Sequence, residues 1–186
     1  MRDTSYLWVE ELSPEYLDTL VQKIESEYPL VDARVGDGTS DPLYRSTKIA
    51  FILKDTMPEV WELGREYITE ANCVSYNFDI TRVGDCQFTV YNSSTEDFYD
   101  WHTDTRLMGE VQDRKITMVV QLSDSEDYEG GDLEFNFYNT SVGENYPIRT
   151  RGTILTFPSF IPHRVTPVTK GIRKSLVFWM EGPAFR

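Results

Sequence analysis

Apolar residues recur at helical spacing in the first part of the chain, and at alternate positions or in unbroken runs in the rest. Ser13-Pro14-Glu15 reads as a helix start, a serine cap followed by proline and an acid in the first turn. Leu17, Leu20, Val21 and Ile24 share one face, which predicts a helix to about Tyr28 with Pro29 as its stop. Residues 31–42, with Gly36, Asp37, Gly38 and Pro42, read as loop. A short apolar run at 49–53 predicts a strand. Met57-Pro58-Glu59 opens a second helix, with Val60, Trp61, Leu63, Tyr67 and Ile68 as its buried stripe.

From Val74 the texture changes to strands. Tyr76, Phe78 and Ile80 alternate with polar residues, as do Phe88 and Val90 within 87–91. Residues 116–122 are apolar on both faces, as in a buried central strand. Glu129-Gly130-Gly131-Asp132 is a turn feeding the alternation of 133–137, and 152–157, 163–168 and 175–180 complete the set. About eight short strands after two helices predict a mostly β, α+β protein. The expected core is a double-stranded β-helix, a cupin-like jelly roll backed by the N-terminal helices.

Length and composition narrow this further. At 186 residues the expectation is one domain, with 1–72 as largely helical support and 73–186 as the jelly-roll core. Hydrophobic content of 40% excludes a disordered chain, and no apolar run is long enough to span a membrane. Met1 to Ser5 lacks the layout of a secretory signal, so a cytoplasmic protein is the default expectation. Cys73 and Cys86 read as free, buried thiols. A net charge of −13 argues against direct nucleic-acid binding. The basic residues near the C-terminus (Arg149, Arg151, Arg164, Lys170, Arg173 and Lys174) are the one concentration that would attract an anion. An ordinary mixed surface explains most of them equally well. Nothing in the pattern bears on oligomeric state.

The chemistry concentrates on the two histidines of the chain, His102 and His163. On an extended strand His102 and Asp104 share a face. His163, after Pro162 at the start of an alternating strand, would supply a third ligand once the intervening strands fold back. Two imidazoles and one carboxylate on one face suit a non-haem Fe(II) site with open positions. A catalytic zinc with three protein ligands and a water fits the same donors. Arg173 and Ser175, two apart and flanked by apolar Val177 and Trp179, would hold a carboxylate beside the strand that carries His163.

The stretch from Phe157 through His163 to Arg173 resembles the C-terminal motif of 2-oxoglutarate- and Fe(II)-dependent dioxygenases. Within them it is most similar to the prolyl 4-hydroxylase and PKHD-type hydroxylase group. The turn from Glu129 to Leu133, Lys115-Ile116-Thr117 before it, and Tyr91 and Tyr99 ahead of His102 match the same group. The resemblance implies that His102, Asp104 and His163 bind iron and that Arg173 pairs with the distal carboxylate of 2-oxoglutarate, with Ser175 assisting. It implies a co-substrate hydrogen bond from Tyr91 and a packing role for Trp179 in that pocket. It also implies O₂ as oxidant, ascorbate as a candidate reductant, and succinate and CO₂ as co-products. The implied substrate is a prolyl residue in a peptide or protein. A free amino acid or other small molecule, or a non-catalytic jelly-roll binding module, are the alternatives. A carboxylate at Asp104 favours hydroxylation over halogenation. Where the family carries a glycine-rich turn beside the substrate entrance, this chain reads Asn92-Ser93-Ser94-Thr95-Glu96-Asp97.

Overall fold

A computed structural model of the chain describes residues 5–35, 38–105, 112–136 and 148–185. Residues 1–4 of the N-terminal reading, loop residues Gly36 and Asp37, and strand position Phe137 lie outside the described residues. In chain order the elements are β1 (Tyr6–Trp8), α1 (Pro14–Glu27), β2 (Val31–Asp32), β3 (Arg45–Ser46), β4 (Lys48–Phe51) and α2 (Pro58–Ala71). There follow β5 (Arg82–Asn92), β6 (Phe98–His102), β7 (Gln112–Gln121), β8 (Tyr128–Gly130), β9 (Leu133–Phe135), β10 (Ile154–Pro158), β11 (His163–Val165) and β12 (Val168–Pro183).

The strands form two antiparallel sheets. The larger runs β1-β10-β7-β12-β5-β4-β2, with β8 on the end of β12, and the smaller runs β3-β6-β11-β9. One apolar cluster joins Leu17, Leu20 and Ile24 of α1 and Val60 and Ile68 of α2 to Phe88, Met118, Leu176 and Phe178 on the outer face of the large sheet. A second cluster contains Val119, Leu155 and Phe157 from the large sheet and Leu133, Phe135 and Val165 from the small one, and so lies between the sheets. This is the expected jelly roll backed by helices.

Local departures have local causes. The Ser13 hydroxyl accepts from the Tyr16 N–H at 3.3 Å, and α1 starts and stops as its pattern predicts. The stripe of α2 differs. Trp61, Leu63 and Tyr67 are half-buried, whereas Gly64 is buried because a Cβ there would stand 2.5 Å from the Phe178 ring. Tyr76, Phe78 and Ile80 are not a strand: 72–76 is a π-turn, and Asn77 is left-handed at φ 52°. Asn72 holds that turn, donating to the Phe78 carbonyl at 3.0 Å and accepting from its N–H at 2.8 Å. The loop read over 31–42 contains the edge strand β2, and the run 168–183 is one continuous strand. Cys73 is exposed and only Cys86 is buried.

Candidate metal centre

The register of β6 against β11 sets His102 directly opposite His163. Asp104 is not on β6, as a strand reading of His102-x-Asp104 would have it, because the strand ends at His102. Its position is fixed by backbone hydrogen bonds instead: the N–H groups of Asp104 and Thr105 both donate to the Ser159 carbonyl, at 2.8 and 3.1 Å. The Thr105 hydroxyl adds a bond to the Arg114 carbonyl at 2.8 Å. The outcome is the expected triad by a different route. One candidate ligand atom from each of His102, Asp104 and His163 lies within 4.8 Å of the others.

Both imidazoles are oriented through Nδ1, which lies 2.7 Å from the Asp100 carbonyl in His102 and 2.9 Å from the Ile161 carbonyl in His163. A carbonyl only accepts, so Nδ1 carries a proton in both rings and Nε2 is the atom turned toward Asp104. The Nε2 atoms lie 3.8 and 3.5 Å from the Asp104 carboxylate. Burial, and then the neighbouring His163, push the His102 pKa down to about 3, so His102 is neutral at physiological pH. Burial alone would raise Asp104, but the two histidines and Arg114 outweigh it and hold the carboxyl below its usual range. The Thr117 hydroxyl donates to Asp104 Oδ2 at 2.7 Å. Tyr99 stacks on His102 with centroids 3.5 Å apart, and Phe157 packs edge-on against His163 at 4.8 Å.

The triad stands in a cavity of about 610 Å³. Arg173, Ser175, Val177 and Trp179 line one wall at alternate positions of β12, as the sequence spacing predicts, and Tyr91, Thr89 and Gln87 do the same from β5. Arg173 is 2% exposed, and no carboxylate among the described residues lies within ion-pairing distance of it. A buried, unpaired guanidinium is costly, so an anionic ligand is the partner its surroundings omit. Gly131 makes room for its stem, since a Cβ there would come within 3.0 Å of Arg173 Cδ. The indole N–H of Trp179 lies close enough to Asp104 to favour its charged form, yet it makes no complete hydrogen bond and is buried. The donor set therefore fits a divalent metal.

Three expectations require correction or extension. Of the six C-terminal basic residues only Arg173 lines the cavity. Arg149, Arg151, Arg164, Lys170 and Lys174 are ion-paired with Asp132, Asp18, Glu134, Glu129 and Glu25. The other arginines of the cavity are Arg34, Arg45 and Arg114, which the sequence did not mark. The turn at 92–97 does not line the cavity either. Buried Asp97 ties it down, accepting from the Asn92 N–H at 3.0 Å, the Thr95 hydroxyl at 2.8 Å and the Ser46 hydroxyl at 2.5 Å. It braces β3 through the Ser46 hydroxyl and β12 through the Val168 N–H on the Asp97 carbonyl.

The sequence comparisons define the class. The family model of the 2OG-Fe(II) oxygenase superfamily matches residues 86–181, more than half of the chain, and the protein belongs to that superfamily. A PKHD-type hydroxylase of Synechococcus sp. (strain CC9311) is 38% identical over 96 residues, covering 51% of this chain and 41% of that protein. A second, from Idiomarina loihiensis, is 34% identical over 93 residues, again covering 41% of its length. The matched stretch is thus well under half of these relatives.

Among solved structures, a Pseudomonas putida prolyl-4-hydroxylase superposes with a TM-score of 0.74 at 19% identity, over 96% of this chain and 92% of that one. A Trichoplax adhaerens prolyl hydroxylase, solved with a hypoxia inducible factor peptide fragment, gives 0.77 at 20% identity, over 95% and 83%. At such identities the likeness establishes the shared fold. No described helix is long and apolar enough to cross a membrane.

Proposed function

We propose that the protein is an Fe(II)- and 2-oxoglutarate-dependent dioxygenase that hydroxylates an unactivated C–H bond, and that its substrate is a prolyl residue of a peptide or protein. One observation carries the reading: two imidazoles and a carboxylate converge in a cavity whose wall also holds a buried arginine without an acidic partner among the described residues. Iron and 2-oxoglutarate, when bound, would activate O₂, one oxygen atom going to succinate as CO₂ is lost and the other to the substrate C–H bond.

The protein's own residues have distinct tasks in this reading. His102 and His163 present Nε2 and keep a proton on Nδ1, where the carbonyls of Asp100 and Ile161 hold it. Asp104 presents its carboxylate between the two rings, with the Thr117 hydroxyl donating to Oδ2. Arg173 takes the distal carboxylate of the co-substrate, with the Ser175 hydroxyl two positions along the same wall. Tyr91 is buried on the facing register of β5, where burial raises its phenol pKa while Arg45 and Arg173 oppose the rise, so it remains an O–H donor at neutral pH. Trp179 closes the wall and offers its free N–H. Val31, Ile49 and Phe51 form an apolar rim, which supports a substrate with apolar surface such as a prolyl ring.

The test is succinate formation from 2-oxoglutarate by the Fe(II)-loaded protein, followed by mass spectrometry across proline-containing peptides and free amino acids. Turnover of 2-oxoglutarate and a product heavier by one oxygen atom are expected. An Fe(II)-loaded protein that makes no succinate overturns the reading. A product found only with free amino acids overturns the choice of peptide substrate.

A further inference from the structure

The cavity holds a second guanidinium that 2-oxoglutarate does not account for. Four arginines line it. Arg114 is ion-paired with Asp85 at 2.9 Å, and Arg34 lies exposed at the rim. Arg173 belongs to the large sheet and serves the co-substrate in the reading above. Arg45 comes from the opposite side, from β3 in the small sheet. No described carboxylate ion-pairs with it, and its Nε is buried without a hydrogen-bond partner. A charged donor left in that state costs stability unless something binds it.

Arg45 is also held in place. Its backbone pairs with Tyr99 across β3 and β6, and its Nη1 donates to the Arg34 carbonyl at 3.1 Å. Its guanidinium carbon lies 4.4 Å from the centre of the Tyr99 ring, and that ring stacks on His102 at 3.5 Å. Tyr44 steadies the assembly, edge-on to Tyr99 with its hydroxyl on the Trp101 carbonyl at 2.8 Å. A fixed positive charge therefore stands one aromatic residue away from the metal triad, on the wall that Arg173 does not occupy. In a chain of net charge −13, such a group next to the reacting position is selective rather than generic.

We infer that Arg45 determines substrate choice by binding a carboxylate of the primary substrate, so that the hydroxylated carbon belongs to an acidic molecule or to a residue beside an acidic one. Arg45 lines the cavity, and the N–H groups of a guanidinium match the oxygens of a carboxylate. This inference deepens the dioxygenase reading and rests on it. The carboxylate has two sources, the α-carboxylate of the hydroxylated residue or a neighbouring acidic side chain in a peptide.

Two probe pairs separate the sources: N-acetyl-L-proline against N-acetyl-L-prolinamide, and acetyl-Glu-Pro-amide against acetyl-Gln-Pro-amide. Binding is titrated calorimetrically under argon, with and without Fe(II) and N-oxalylglycine, a 2-oxoglutarate mimic that fills the place on Arg173. In the wild type one acid is expected to bind at least about tenfold more tightly than its neutral partner, the scale of a charge-assisted bond. Arg45→Gln should erase that ratio and Arg45→Lys should keep part of it. A preference in the first pair assigns the α-carboxylate, and in the second an acidic neighbour. Failure of both pairs to discriminate, including failure of all four probes to bind, overturns the inference. So does a preference that survives in Arg45→Gln. Loss of N-oxalylglycine binding in Arg45→Gln to the extent seen in Arg173→Gln would give Arg45 to the co-substrate and overturn it as well. A wild type that makes no succinate from 2-oxoglutarate defeats the dioxygenase reading separately, since the titrations without N-oxalylglycine still read the acid preference.

Discussion

β5 and β12 lie side by side in the large sheet and show two unlike interiors. On one face Phe88, Val90, Leu176 and Phe178 pack under the helices. On the other Gln87, Thr89, Tyr91, Arg173, Ser175 and Trp179 wall the cavity. All ten are buried, so exposure does not distinguish the faces; the partners do. The apolar face gains by exclusion of water, at roughly 1.5–3 kcal/mol for each large side chain. The cavity face is only partly satisfied. Gln87 donates to Thr89 at 2.9 Å, but the Trp179 N–H is unpaired and Arg173 has no acidic neighbour. Unsatisfied buried groups cost about 1–3 kcal/mol each, so the cavity face spends stability that the core face supplies. The same backbone thus separates folding from chemistry by the parity of the residue number.

Substitutions on the two faces should therefore fail in different assays. The largest effect is expected from His102→Ala, which should abolish Fe(II) binding by calorimetry and succinate formation from 2-oxoglutarate, while the metal-free protein keeps a cooperative melt. Turnover at the wild-type rate would remove the triad from the mechanism. Phe178→Ala should do the reverse. It opens a cavity against Gly64 and costs about 3–5 kcal/mol in urea unfolding, with Fe(II) affinity of the folded protein little changed. A loss below about 1 kcal/mol would mean that the helices do not rest on this ring. Arg173→Gln keeps the stem but removes the charge. It should raise the 2-oxoglutarate KM about 10- to 100-fold, the range of one charge-assisted pair, and move the Fe(II) requirement far less. An unchanged KM would take Arg173 out of the co-substrate site.

Much of this arrangement was legible in the chain, for reasons that differ by residue. Period-two spacing put Arg173, Ser175, Val177 and Trp179 on one wall because strand geometry leaves no other choice. The same reasoning found Phe88 and Val90 but missed that Gln87 and Thr89, their polar alternates, face a cavity. Alternation identifies two faces without saying whether the polar one meets water. Asp104 joined the triad although β6 stops short of it, because the Ser159 carbonyl, 55 positions later, collects its N–H. That bond leaves no local signal. Arg45 was invisible for the same reason. Its two-residue strand has no pattern, and only pairing with Tyr99 brings it to the site. For the C-terminal basic cluster the sequence left an anion-attracting mouth and an ordinary mixed surface both open, because charge counting does not see partners; five of its six members are paired with acids distant in sequence.

Thr117 offers the finest cut between the two faces. It pairs with Trp179 across β7 and β12, and its neighbours Ile116 and Met118 belong to the apolar cluster under the helices while it lines the cavity. Its hydroxyl donates to Asp104 Oδ2 at 2.7 Å and lies 2.9 Å from the Ser159 hydroxyl. Thr117→Val keeps the shape and removes the donor. Asp104 would keep its backbone anchors but lose the side-chain bond that holds Oδ2, the oxygen facing His163. Loss of such an outer partner typically weakens metal binding 10- to 100-fold, and the Ser159 carbonyl anchor argues for the lower end, about tenfold. Stability should fall by about 1–3 kcal/mol, because the valine methyl keeps the volume while the buried Ser159 hydroxyl and Asp104 Oδ2 each lose a partner. Thr117→Ser retains the donor and should restore most of the affinity, which a purely steric role for the side chain would not predict. Equal Fe(II) affinities for the valine and serine variants would mean that the backbone alone orients Asp104, and that the cavity face needs its polar groups only for the ligands it binds.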